Sequence, residues 1–129
     1  MVDMVSTSNM PMVAVGGVRE LRAWLTDKHK ASRGTWLLLR MPGRGAGRLT
    51  PDQLIDELTR VGWHAALTRT YDDQHVLVMV LPRKPRAAWT AREKRRAQAL
   101  YRKGKLLPAG AAVVDRAKRN GRWYTTGTE

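Results

Sequence analysis

Two seven-residue, largely apolar runs, Thr35–Met41 and His75–Leu81, are each stopped by a proline, and they constrain the fold of this chain more than any other feature. Each is too short for an ordinary helix and is bounded by turn formers, so each is read as a buried strand. Strands of this kind must be covered, and the segments around them carry helix signals. From Gly17 onward, Val18, Leu21, Ala23, Trp24, Leu25 and His29 recur near helical spacing. Glu20 lies toward the start of that segment and Lys28 and Lys30 toward its end, as the helix dipole favours. Thr50-Pro51-Asp52 opens a second helix, with a cap, a proline at the first helical position and an acid in the first turn. Leu54, Ile55, Leu58 and Val61 form its apolar stripe, and Gly62 ends it.

Trp63–Thr70 then reads as a strand, and the turn Tyr71-Asp72-Asp73-Gln74 joins it to His75–Leu81 in a hairpin. Pro82 to Arg86 must be extended, because each proline excludes its predecessor from helical geometry. Thr90-Ala91-Arg92-Glu93 is a capping box. In the helix it opens, Ala97, Leu100 and Tyr101 are predicted to face inward, with Arg92, Arg95, Arg96, Arg102 and Lys103 opposite. Gly104 closes it. A last helix begins near Pro108, turns Ala112, Val113, Val114 and Ala117 inward, and stops at Asn120-Gly121. Residues up to about Val15 read as a loose arm or one short edge strand, and Pro42 to Arg48 as a flexible loop. The order predicts an α+β fold: a small, mostly antiparallel sheet packed by about four helices, with a C-terminal helical pair. With 129 residues there is room for one domain, read as an arm (1–16), a domain (17–124) and a tail (125–129).

No cysteine is present, which removes disulfides, thiolate metal sites and cysteine nucleophiles. No apolar run approaches the roughly 20 residues of a membrane span. The first residues carry Asp3 in place of a basic region and are interrupted by Ser6, Thr7, Ser8, Asn9 and Pro11, unlike a signal peptide. The expectation is a cytoplasmic protein. The net charge of +13 is unevenly placed: ten Lys/Arg against eight Asp/Glu up to Pro82, then fourteen against two, Glu93 and Asp115, from Arg83 to Trp123. That asymmetry suits an anionic partner, and a well-solvated basic surface accounts for it as readily.

His29, His64 and His75 lack metal-ligand spacing, so no metal and no cofactor are expected. The glycines of the 42–48 loop satisfy neither phosphate-loop nor dinucleotide patterns, and no serine sits in a nucleophile elbow. His64 is the candidate general acid or base, with Asp72 or Asp73 orienting it across the hairpin; the alternative is a turn capped by two aspartates. Five tryptophans stand beside no phenylalanine. They build core or, at Trp63 and Trp89, a partly exposed aromatic wall. Arg83 and Arg86, stiffened by Pro82 and Pro85 and placed before a helix N-terminus, form a candidate anion site, unless they pair with Glu93, Asp72 or Asp73.

Four groups of residues recur in order along the chain. They are Leu21-Arg22-Ala23-Trp24-Leu25 with Lys28-His29 and Thr35-Trp36-Leu37; Gly62-Trp63; Asp72-Asp73 with Pro82-Arg83-Lys84-Pro85-Arg86 and Trp89-Thr90; and Gly104 to Gly110 with Ala117-Lys118 and Gly121-Arg122-Trp123. Over about residues 18–123 this set resembles the YdeI/OmpD-associated family, which includes bacteriocin-protection proteins. The resemblance implies a cytoplasmic bacterial protein with a role in tolerance to antimicrobial compounds or envelope stress. His64-Ala65 stands where that family has Ile-Asp, Ala87 where it has serine, and Glu93 where it commonly has asparagine. The reading that follows is noncatalytic binding of a small or peptidic, anionic or aromatic compound at Trp63, His64, Arg83, Arg86 and Trp89. The alternatives are weak, nonspecific nucleic-acid binding through the basic C-terminal helices and a biosynthetic enzyme using His64.

Overall fold

A computed structural model describes residues 10–41, 47–124 and 126–127. Most of the proposed arm and of the 42–48 loop lies outside these residues, as do parts of the tail. Strand β1 (Met12–Ala14) leads into helix α1 (Val18–Lys28) and strand β2 (Thr35–Arg40). Helix α2 (Pro51–Arg60), strands β3 (Trp63–Thr70) and β4 (His75–Pro82), and helices α3 (Ala91–Arg102) and α4 (Pro108–Arg119) follow. The sheet order is β1-β2-β4-β3, with β1 parallel to β2 and the other pairings antiparallel. The fold is α+β. Val13 pairs with Leu37 on the edge strand, so the start of the chain supplies a strand and not only an arm. A short strand β5 (Trp89–Thr90) pairs with two residues of the tail, β6 (Thr126–Gly127).

Local signals set the helix starts. The hydroxyls of Thr50 and Thr90 accept from the amides of Gln53 and Glu93, whose side chains return the bond to the cap amides. Each box satisfies two donors that a helix start otherwise leaves orphaned. Alternation sets the strands: Leu37 and Leu39 on β2 and Val78 and Val80 on β4 point to one face, and α1 and α2 cover it with Leu21, Leu25 and Leu58. Burying one such aliphatic side chain contributes about 1.5–3 kcal/mol. Trp63 seals this core against Trp24, their rings edge to face at 6.0 Å. A second core, of Trp89, Ala97, Val114 and Ala117, joins α3 to α4.

Three inward assignments differ from the sequence reading. Ala23 and Ala112 are exposed, and Gly110 is buried in place of the latter. Tyr101 is 41% exposed, its hydroxyl donating to Asp115 at 3.0 Å. An alanine-, glycine- and valine-rich helix has little periodicity to read, so its inward face is chosen by what it meets. Here α4 begins directly on the end of α2, where the Leu107 amide donates to Arg60 O at 2.9 Å. Gly62 turns the chain out of α2 at φ +80, a conformation that disfavours a side chain, and a Cβ there would stand 2.8 Å from Val113 Cγ2.

Candidate functional site

The hairpin register brings the sequence-predicted residues to one corner. Trp63 pairs with Pro82, and the Arg83 amide donates to Gly62 O at 2.9 Å, so Arg83 follows β4 directly beside the start of β3. Its guanidinium runs inward. Nη1 donates to Ala88 O and Nη2 to Glu93 Oε2, both at 2.8 Å, and the plane stacks over Trp89 at 3.8 Å. The Arg83 side chain is 2% exposed, and Trp63 and Trp89 are each 2% exposed. The partly exposed aromatic wall expected at Trp63 and Trp89 is therefore absent: both indoles pack as core, because their large apolar faces gain most from burial. The anion site expected at Arg83 is likewise replaced by an internal pair with Glu93. Arg86 stays exposed on the turn closed by Ala87 N to Lys84 O, with no carboxylate partner among the described residues.

His64 lines a small cavity of about 40 Å³ with Leu54, Ile55, Leu58, Thr59, Trp63, Ala65 and Glu93. That space holds about one water. Burial first, and then the nearby Arg83 charge, press the imidazole down from 6.5 to about 4, against the pull of Glu93. The ring is thus neutral at pH 7, is half-buried, and lines a space too small for a substrate. Asp72 does not orient it. Asp72 Oδ1 sits 2.9 Å from His75 Nδ1 at the far end of the hairpin and also accepts from the Gln74 amide. The amide of Gln74 and then His75 hold the Asp72 carboxyl below its ordinary range.

The His64 environment makes stability depend on pH. Between about 4 and 6.5 the unfolded chain holds a proton on His64 that the folded protein does not. Stability from this group is therefore complete above 6.5 and is lost as pH falls toward 4. A shift of this size corresponds to about 3 kcal/mol at most, which screening at the partly exposed ring reduces to about 1–2 kcal/mol. His64→Leu is expected to flatten the urea-unfolding free energy across that window by this amount. Parallel pH curves for the two proteins would show that the imidazole charges freely in the folded state.

The basic face predicted on α3 is partly consumed by α2. Arg92 Nε donates to Asp52 Oδ1 at 2.8 Å, and Arg96 clasps Asp56 through Nε at 2.8 Å and Nη2 at 2.6 Å. Asp52 and Asp56 stand four apart on α2, as Arg92 and Arg96 do on α3, so facing turns meet as charge pairs. These arginines are helix-to-helix fasteners.

Beside them lies a cleft that the sequence reading missed. It encloses about 280 Å³ between α1, α2, α3 and the turn after α3, and its lining includes Arg22, Arg60, Arg96, Lys103 and Lys105 over a floor of Ala99 and Leu100. Only two carboxylates line it, Asp56 and Glu57, and arginine already holds both. Glu57 is 4% exposed and receives Arg22 Nε at 3.0 Å and Nη2 at 2.6 Å, with Arg60 Nε at 3.4 Å. The Arg60 contact is electrostatic, since its buried Nε makes no hydrogen bond. Arg60 Nη2 is fixed by Thr26 Oγ1 at 2.6 Å. Lys103 and Lys105 are exposed at the mouth and make no ion pair among the described residues. The readable signal was Glu57: it lies three after Leu54 and four before Val61 on the apolar stripe of α2, and a buried carboxylate calls for a cation.

Among the described residues no group of three or more His, Asp or Glu side chains is placed to hold a metal ion, and no helix is long and apolar enough to cross a membrane. A family model described as a domain of unknown function (DUF8412) matches residues 13–113, a stretch that contains every residue of the cleft. No curated protein and no solved structure matches the chain.

Proposed function

The chain belongs to the DUF8412 family, and from the geometry of its own cleft we propose that it binds a small anionic compound between α1, α2 and α3. The observation that carries this reading is the charge balance of a half-open cleft. Five cations line about 280 Å³ against two carboxylates that are already spoken for, and Arg60 is held in place before any ligand arrives. A guanidinium fixed in this way loses little entropy on binding, and partial exclusion of water strengthens its field. The volume falls just under the roughly 300–1,000 Å³ of sites for drug-sized ligands. It suits a phosphate or a short carboxylate compound better than a peptide. With Trp63 and Trp89 buried, an anionic ligand has a place to sit that an aromatic one lacks.

Binding without turnover is the better fit. His64 faces a space for a single water, and the cleft lining holds no serine, threonine, tyrosine or histidine, while arginine engages both of its carboxylates. The ordered segments similar to the YdeI/OmpD-associated family support placing this activity in the cytoplasm, in tolerance to antimicrobial compounds or envelope stress.

Titration with inorganic phosphate and with citrate, followed by amide NMR, tests the reading. Saturable shifts are expected at Ala99, Leu100 and Lys105. Lys103→Ala/Lys105→Ala removes two exposed charges, so it should weaken binding about tenfold or more at low salt while unfolding within about 0.5 kcal/mol of the wild type. Shifts of equal size in both proteins, or none near the cleft in either, would refute the site.

A further inference from the structure

We propose that the turn after β4 and the last turn of α4 together form a docking surface for the phosphate backbone of duplex nucleic acid. It lies at the opposite end of α4 from the anion cleft. Helix α4 has 12 residues and begins at the end of α2 beside the cleft; its far end lies about 18 Å away at 1.5 Å per residue.

At that far end two side chains tie the turn to the helix. Arg116 Nη2 donates to Arg83 O at 2.7 Å, and Asn120 Nδ2 donates to Pro85 O at 3.0 Å. Lys84, Arg86 and Arg119 stand exposed on this tied unit. None of the three pairs with a carboxylate among the described residues. Of the two acids between Arg83 and Trp123, Glu93 is committed to Arg83, and Asp115 accepts from the Tyr101 hydroxyl and makes no ion pair with any of the three. Part of the excess charge of that segment is thus displayed here, on a backbone tied at two points, while Arg92 and Arg96 of α3 serve α2.

The chemistry selects among polyanions. Binding to a lipid surface combines cations with apolar side chains that enter the headgroup boundary, and the exposed aliphatic residues Met12, Met41 and Leu67 all lie on the sheet or at the end of one of its strands. Single strands need several rings for stacking. Trp89 is buried and Trp123 packs on it at 5.0 Å, which leaves Tyr124 as an exposed ring at the end of the chain's last helical turn. Exposed cations on a tied backbone, without base-reading groups, fit duplex phosphates, independent of sequence.

Fluorescence anisotropy with a labelled random-sequence duplex of about 20 base pairs, from ~50 to ~200 mM salt, tests this. Wild type is expected to bind in the micromolar range at the low end, with equal affinity for unrelated sequences. Lys84→Ala/Arg86→Ala/Arg119→Ala should weaken binding at least tenfold and reduce the salt slope by about 2–3, roughly 0.9 for each phosphate no longer neutralised. Lys103→Ala/Lys105→Ala, at the cleft end, should keep the wild-type slope. Equal losses in the two variants would mean that only net charge matters and would overturn the surface. So would an unchanged slope in the triple variant, or tighter binding to phosphatidylserine vesicles or to single strands than to the duplex.

Discussion

Replacing Arg83 with alanine is expected to destabilise the protein by about 3–5 kcal/mol, the cost of breaking a buried ion pair from one side. Arg83 is 2% exposed and holds Glu93 Oε2 and Ala88 O while its plane covers Trp89 at 3.8 Å. Its removal strands the Glu93 carboxylate, which is only 17% exposed, and opens a void beside the indole. Burial lowers the Arg83 pKa and Glu93 pulls it back up, so desolvation and the partner charge oppose each other. The pair itself is therefore weaker than its rupture suggests. Arg83→Met/Glu93→Gln keeps most of the volume, removes both charges and leaves an amide oxygen for the cap on the Thr90 amide. Urea unfolding is expected to place this double variant within about 1.5 kcal/mol of the wild type, far above Arg83→Ala. If both variants lost the same amount, the charge pair itself, and not packing, would be what Arg83 contributes.

Much of the fold was legible because it is fixed over a few residues. Thr50 and Thr90 announce their helices through side chains that reach three residues ahead, and Pro82 ends β4 by geometry. The hairpin followed from the aspartate turn, in which Asp72 caps the Gln74 amide. The site was less legible because its members come from distant segments. Arg22 and Glu57 are 35 residues apart, and Arg96 and Asp56 are 40 apart. Two signals were nevertheless available: the acid on the stripe of α2, and the opposite charges at matching four-residue spacing on α2 and α3. Trp63, His64 and Arg83 did converge, through the register of β3 and β4, but upon a buried polar knot and not upon an open cleft. Sequence indicates that a tryptophan or arginine is special. Whether it faces inward depends on a partner such as Glu93 that local pattern does not name.

Gly110→Ala is expected to cost about 3 kcal/mol, although alanine is the better helix former by about 1 kcal/mol. The reversal comes from the meeting of α4 with α2. A Cβ on Gly110 would stand 2.6 Å from Thr59 O and nearer still to Arg60 O, and both are backbone atoms with no rotamer to yield. To admit the methyl group, α4 must lift from the end of α2. That strains the bond from the Leu107 amide to Arg60 O and shifts Arg60, whose guanidinium lines the anion cleft. The melting temperature should fall on the order of 10 °C, and phosphate affinity should fall with it at temperatures where the variant remains folded. Gly104→Ala is the contrast. A Cβ there meets nothing within 4 Å, so only its positive φ of 68° is penalised, by about 1–2 kcal/mol, and phosphate binding should persist. A Gly110→Ala variant that melted at or above the wild-type temperature would show that α2 and α4 do not approach this closely, and Arg60 would then lose the support on which the cleft depends.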